Sequence, residues 1–189
     1  MSYYEIIGAA FGLVSVWLTV KENIWLWPTG LISVCFYIVV FFQAKLYANM
    51  GLQVVFIALQ IYGWHEWLRG GKDRGRLEIS RTGLKLAVLL AAVTFVLTAV
   101  MGYLLSTRTD ASLPYGDSTA TVLSLIAQWM LAKKLIENWI VWIVIDAITI
   151  GLCLYNNLFA TAALYVAFLV LAVTGLIEWR KTVKRFQPA

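Results

Sequence analysis

The chain has 189 residues, of which 61% are hydrophobic and only 13% are charged, and its mean hydropathy is +0.80. Soluble domains carry about 25% charged residues, so this composition indicates an integral membrane protein and excludes a separate soluble catalytic domain. The net charge of +5 does not require a nucleic-acid partner, because the basic residues are scattered through short loops between apolar segments.

Seven apolar segments follow one another along the chain, and each predicts a transmembrane helix. They cover residues 3–20, 25–43, 46–68, 84–105, 118–132, 139–155 and 158–179. The fifth segment is short and carries several polar residues, a pattern typical of helices that build a transporter's site. A re-entrant fifth segment is the alternative, but only seven full spans make the distribution of charge coherent.

The basic residues lie almost entirely on one side of this arrangement. The N-terminus and the loops after the second, fourth and sixth segments hold only Lys45 and Arg108, whereas the other 13 of the 15 Lys and Arg residues lie on the opposite side. Positive residues stay in the cytoplasm. We therefore expect a multi-pass protein of the cell (inner) membrane, with its N-terminus outside and its C-terminus in the cytoplasm.

Two parts of the chain repeat each other in the same order. At an offset of 115, Glu22-Asn23 matches Glu137-Asn138 and Trp27 matches Trp142. At an offset of 112, Leu46-Tyr47-Ala48 matches Leu158-Phe159-Ala160, Gly63 matches Gly175, and Glu66-Trp67 matches Glu178-Trp179. We expect a single transmembrane domain (1–189) with one three-helix repeat in 1–68, a linker helix in 84–105 and a second repeat in 118–179. This 3+1+3 parallel pseudo-repeat is a transporter signature. Two similar bundles that merely pack together are the alternative.

Three of the segments carry polar residues on one helical face, because residues three or four apart lie on the same side of a helix. These stripes are Asn49, Gln53, Gln60 and Trp67 in the third segment, Asp117, Thr121, Ser124 and Gln128 in the fifth, and Asn138, Trp142, Asp146 and Thr149 in the sixth. Helix–helix hydrogen bonding would explain any one stripe. Three stripes together favour one wet cavity with aromatic walls.

Asp146 lies at the middle of the sixth segment, where a carboxylate costs roughly 3 kcal/mol on insertion scales unless a partner offsets it. No Lys or Arg lies at this depth in any segment, so the counter-charge is either a proton or a cationic ligand. Trp139 and Trp142 precede Asp146 on the same helix and offer aromatic faces to a flat cation. The expected ligand is a small, flat, positively charged molecule with several hydrogen-bonding groups.

The sequence predicts no metal, no cofactor and no catalytic residues. His65-Glu66 is the start of a zinc-protease motif, but the chain has no second His, so a zinc site is not expected. An enzyme is disfavoured because no nucleophile–base pair is present, and a receptor or scaffold because the loops are short. Gly8 and Gly12 form a small-xxx-small pattern that would support helix packing.

Four runs resemble the Pnu vitamin transporters: WPTGLISVCFY (27–37), LYANMGLQVVF (46–56), YGWHEW (62–67) and ENWIVWIVID (137–146). The specific element is W-x-x-W-x-x-x-N/D, formed here by Trp139, Trp142 and Asp146. The resemblance implies an all-α fold of seven transmembrane helices, like that of the SWEET sugar transporters but inverted in the membrane. It also implies facilitated diffusion of an unphosphorylated vitamin, which phosphorylation then traps in the cytoplasm.

The resemblance further implies the residues that contact the ligand. They are Trp139, Trp142 and Asp146 from the motif, with Asn49, Gln53 and Gln60 from the third segment. Some members have Asn where this chain has Asp146, which leaves the vitamin open. Nicotinamide riboside, which we prefer, and thiamine are both flat cations, whereas riboflavin is neutral and fits the expected cavity less well. A homo-oligomer is compatible with the sequence.

Overall fold

The structure, a computed structural model, describes residues 3–45, 47–71, 75–109 and 113–186. Within these ranges the chain forms seven helices, which confirms the expected all-α fold. Their bounds are Tyr3–Val20 (α1), Leu26–Gln43 (α2), Tyr47–Arg69 (α3), Leu84–Arg108 (α4), Pro114–Ala132 (α5), Asn138–Tyr155 (α6) and Phe159–Phe186 (α7). At 19 residues, α5 is one continuous helix about 28 Å long, so it is not a re-entrant hairpin.

Five helices, α1, α2, α4, α6 and α7, are long and apolar enough to cross a membrane by length and composition. The other two, α3 and α5, carry two of the polar stripes and are less hydrophobic for that reason. Large apolar side chains also point outward, for example Leu84 and Phe95 on α4, at 80% and 77% exposed. In a membrane these side chains contact lipid.

Six of the helices form a closed ring. Contacts run from α1 to α2, α2 to α3, α3 to α5, α5 to α6, α6 to α7, and from α7 back to α1. The fourth helix, α4, lies outside the ring and packs against α5. The helices α1, α3, α5 and α7 all end at the same end of the bundle, beside Lys21, Arg69, Lys133 and Lys134. We refer to it as the basic end.

Four tryptophans form a buried layer near the basic end, and none of them is more than 4% exposed. We refer to Trp27, Trp67, Trp139 and Trp179 as the tryptophan layer. The rings of Trp27 and Trp67 meet edge to face with centroids 5.5 Å apart, and those of Trp139 and Trp179 do the same at 5.5 Å. Trp67 and Trp179 lie 6.2 Å apart and join the two pairs.

The indole N–H groups of this layer connect the first three helices to the last three. Trp67 Nε1 donates to the carbonyl oxygen of Leu131 on α5 at 3.1 Å. Trp179 Nε1 donates to the carbonyl oxygen of Thr19 on α1 at 3.2 Å. The third helix of each group is therefore bonded to the first helix of the other group.

The residues that build the tryptophan layer and its hydrogen bonds occur in equivalent pairs 112 residues apart. The equivalent pairs are Thr19 and Leu131, Trp27 and Trp139, Gly63 and Gly175, and Trp67 and Trp179. Four non-glycine residues with positive φ pair at the same offset: Glu22 (52°) with Lys134 (50°), and Lys45 (57°) with Asn157 (58°).

The expected match of Trp27 with Trp142 is wrong. Trp27 packs on Gly63 as Trp139 packs on Gly175, so Trp139 is the counterpart of Trp27 and the offset stays at 112. Glu137 resembles Glu22 in sequence but does not take its place in the fold, because the left-handed backbone position of Glu22 is occupied by Lys134. Leu46, part of another sequence match, lies outside the described residues.

Ionic contacts at the basic end also join the two groups of helices. Lys133 pairs with Glu66 at 2.9 Å and Lys134 pairs with Glu22 at 3.2 Å. The Lys134 ammonium also lies 4.4 Å from the ring centroid of Trp67. Partly exposed pairs contribute little individually, but here they stand beside the tryptophan layer and hold the same helix ends together.

The segment between α3 and α4 crosses the turn between α5 and α6. Ser80 N–H donates to the carbonyl oxygen of Lys134 at 3.1 Å, and Ile136 N–H donates to the Ser80 carbonyl at 3.0 Å. Thr82 donates through its amide and its hydroxyl to the Glu137 carboxylate, at 2.8 and 2.7 Å. These bonds satisfy polar groups of a turn that lies beside the hydrophobic core.

We expect Gly63→Ala to lower stability, because its Cβ would lie 2.6 Å from ring carbons of Trp27. Overpacking of a buried contact costs about 1–3 kcal/mol. Gly51→Ala on the same helix is the matched control, since no atom lies within 4 Å of that Cβ position. Thermal unfolding in detergent micelles measures the difference, and equal melting temperatures for the two variants would contradict this packing.

Candidate functional site

A cavity of about 450 Å³ lies inside the ring of helices. α1, α2, α3, α6 and α7 supply most of its wall, whereas α5 reaches it only near its end, through Gln128 and Leu131. The cavity begins at the level of Glu5 and Phe41 and ends at Trp139. The tryptophan layer therefore closes the cavity toward the basic end.

One wall of the cavity combines a carboxylate with an indole. Asp146 is 4% exposed and lines the cavity together with Trp142, four residues earlier on the same face of α6. Among the described residues, Asp146 makes no hydrogen bond or ion pair. A buried carboxylate without a protein partner is costly, so this wall is suited to a cationic group that contributes the missing charge.

Trp139 and Asn138 form the end of the cavity next to the tryptophan layer. The Trp139 ring packs on Gly175 and against Trp179, and its Nε1 is buried without a hydrogen-bond partner among the described residues. Asn138 is fully buried and its Nδ2 donates to the Leu135 carbonyl at 2.6 Å. Because both side chains are held by protein contacts, Trp142 is the indole that is available to a ligand.

Three glutamines bring side-chain amides to the cavity from α3 and α5. Gln53 and Gln60 lie on α3, and Gln128 lies near the end of α5. Gln60 and Gln128 are 6% and 9% exposed. An amide offers two donor hydrogens and an acceptor oxygen, so this side of the cavity can bind hydroxyl and carbonyl groups.

Six of the stripe residues do not line the cavity: Asn49, Trp67, Asp117, Thr121, Ser124 and Thr149. Asn49 is exposed in the first turn of α3, at the end of the bundle opposite the basic end. Thr121 and Ser124 share a face with Gln128 but lie one to two turns earlier on α5, beyond the cavity wall. Ser124 Oγ donates to the Ala120 carbonyl of its own helix at 2.7 Å. The cavity misses these positions because it lies closer to α1 than to α5.

The α1 face of the cavity is not among the features that the sequence predicts. Gly8, Gly12, Ser15 and Thr19 line it at spacings of four, three and four, the same periodicity as the polar stripes. The small side chains leave room for the cavity, whereas the small-xxx-small pattern of Gly8 and Gly12 predicts only helix packing. Ser15 Oγ donates to the Leu26 carbonyl at 2.8 Å, so this residue also fixes α1 against α2.

Residues 2–181 match the family model described as nicotinamide mononucleotide transporter. The chain belongs to this family. It is a family of transporters and not of enzymes, and the match extends over all seven helices up to residue 181 of α7.

Named relatives cover nearly the whole chain. The nicotinamide riboside transporter PnuC of Escherichia coli (strain K12) is 28% identical over 95% of this chain and 85% of that protein. The riboflavin/roseoflavin transporter RibM of Streptomyces davaonensis is 25% identical over 93% of this chain and 83% of that protein. A crystal structure of the vitamin B3 transporter PnuC superposes with a TM-score of 0.79 at 28% identity, covering 98% of this chain and 84% of that chain.

Accessibility of the cavity to water can be tested with two adjacent positions on α3. In a chain lacking Cys35 and Cys153, we expect Gln53→Cys to react with a charged thiol reagent, because residue 53 lines the cavity. Val54→Cys is the control, since Val54 is 55% exposed on the outer, lipid-facing surface, where no reactive thiolate forms. Mass spectrometry of labelled membranes measures both. Equal labelling at the two positions would contradict the placement of the cavity.

Proposed function

We propose that this chain carries a small vitamin or nucleoside-like precursor across the cell membrane, with nicotinamide riboside as the first candidate. The observation that supports it most directly is the buried carboxylate of Asp146, which lies beside Trp142 in the cavity and has no hydrogen-bond or ion-pair partner among the described residues. The names of the relatives agree with a vitamin as substrate.

The cavity suits such a ligand in size and in chemistry. Its volume of about 450 Å³ lies in the range of sites that enclose small molecules. A pyridinium ring can stack on the Trp142 indole while Asp146 neutralises its charge. The carboxamide and ribose hydroxyls then meet Gln53, Gln60 and Gln128. Trp139 and Asn138 support this wall from the end of the cavity.

The arrangement of the helices supports a proposal for the transport route. We propose a 3+1+3 organisation in which α1–α3 and α5–α7 are equivalent units and α4 joins them. The two units carry equivalent contacts 112 residues apart, which supports this division. With the basic end in the cytoplasm, the tryptophan layer separates the cavity from the cytoplasm. Separation of the two units at that layer releases the ligand by facilitated diffusion, and phosphorylation in the cytoplasm traps it.

Thiamine is the second candidate substrate. Thiamine is also a flat cation, and the Trp142–Asp146 wall meets its charge in the same way. Riboflavin, which the name of RibM includes, is neutral and leaves the Asp146 carboxylate without a counter-charge. The carboxylate therefore favours a cationic vitamin over riboflavin.

We expect Asp146→Asn to weaken binding of nicotinamide riboside by about 1–3 kcal/mol, the range for charge-assisted hydrogen bonds. The fold should persist, because the substitution keeps the shape of the side chain and removes a buried charge. Titration calorimetry of purified protein with nicotinamide riboside, thiamine and riboflavin measures the effect and ranks the ligands.

Asp117→Asn is the matched control, since Asp117 is an exposed carboxylate in the first turn of α5 and lies outside the cavity. Its binding should equal that of the unaltered chain. Unchanged affinity in Asp146→Asn would show that the site chooses its ligand by shape and neutral hydrogen bonds. In that case the charge of the ligand would no longer favour nicotinamide riboside or thiamine over riboflavin as the substrate.

The orientation gives a separate expectation. A reporter fused after Ala189 should lie in the cytoplasm, and one fused ahead of Tyr3 should lie outside, because the basic residues gather at the ends of α1, α3, α5 and α7. Paired fusions to alkaline phosphatase and green fluorescent protein read out the two sides. Both termini on one side would contradict seven spans, and the reversed result would invert the direction of transport.

A further inference from the structure

The carboxamide of Gln60 is held at the cavity wall without a partner. Gln60 is 6% exposed and lines the cavity from α3. Its side chain makes no hydrogen bond with any described residue. Because no hydrogen bond to another described residue holds this amide, its position is set by steric contacts, and its polar atoms remain available to a ligand in the cavity.

Those contacts are at Gly30 on α2. A Cβ at Gly30 would overlap Gln60 Oε1, and it would lie 3.1 Å from Gln60 Cδ and 3.0 Å from Ser15 Oγ. The Ser15 hydroxyl is bonded to the Leu26 carbonyl at 2.8 Å and is not free to withdraw. The Gln60 amide therefore occupies the space that a side chain at position 30 would fill.

The other half of the ring has the opposite arrangement at the same positions. At the offset of 112, Gly30 corresponds to Trp142 and Gln60 corresponds to Ala172, and all four line the cavity. In the first half, α2 carries the small residue, Gly30, and α3 carries the large one, Gln60. In the second half, α6 carries the large residue, Trp142, and α7 carries the small one, Ala172. One side of the cavity thus presents an amide, and the other side presents an indole with a carboxylate.

We infer that Gly30 is a positioning residue, which places the Gln60 amide for the polar end of the ligand and so fixes one orientation of the ligand between the two unlike sides. The inference rests on the proposed function. An added methyl group at position 30 pushes the amide away from the α2 wall and into the space of the ligand.

A double-mutant cycle tests this role. Affinity for nicotinamide riboside is measured by calorimetry for the unaltered chain, Gly30→Ala, Gln60→Ala and the double variant. We expect Gly30→Ala alone to weaken binding about tenfold. In the Gln60→Ala background the same substitution should change affinity less than about twofold, because no amide remains to be displaced. Gly151→Ala, whose Cβ would meet nothing within 4 Å, is the control for a helix glycine.

The outcomes separate the two claims. Additive effects in the double variant, or full affinity in Gly30→Ala, overturn the positioning role while leaving a binding protein. If Gly30→Ala does not fold, recovery of folding in the double variant supports the contact between Gly30 and Gln60, and failure of both overturns it. An unaltered chain that binds none of nicotinamide riboside, thiamine and riboflavin overturns the proposed function, and this inference with it.

Discussion

Two indole N–H groups connect the halves of this bundle, each donating from a third helix to a main-chain carbonyl near the end of the opposite first helix. Between apolar helices in lipid the hydrophobic effect gives little preference for one pairing over another. The Trp67 and Trp179 bonds at 3.1 and 3.2 Å are directional, so they set how the two groups of helices meet. The ring of helices, and the cavity inside it, depend on the alignment that these two bonds impose on the two groups.

The same contacts also determine where the two halves are allowed to differ. In the tryptophan layer the equivalent positions keep the same residue type, because Trp27 and Trp139 each pack on a glycine and each meets a partner indole at 5.5 Å. At the cavity no such constraint applies, and equivalent positions hold Val34 and Asp146. A nearly symmetric frame thus encloses an asymmetric site, which is what an asymmetric ligand requires.

Much of the fold could be predicted from the sequence, because hydropathy reports the spans directly and six of the seven helices begin within one residue of expectation. The polar face of α6 was also predictable, since a carboxylate within a transmembrane span is costly and usually marks a functional site. Periodicity alone could not tell which part of a polar stripe borders the cavity, as Thr121 and Ser124 on α5 illustrate. Nor does sequence reveal that small residues such as Gly12 and Ser15 border empty space.

The tryptophan layer has an optical consequence. Its indoles are at most 4% exposed, and the N–H groups of Trp27 and Trp139 lack a hydrogen-bond partner among the described residues. Any conformer that parts the two halves at the basic end brings water to those groups and shifts their fluorescence emission to longer wavelength. The protein therefore contains an intrinsic spectroscopic reporter at this layer, and an opening of the bundle there can be followed without an attached dye.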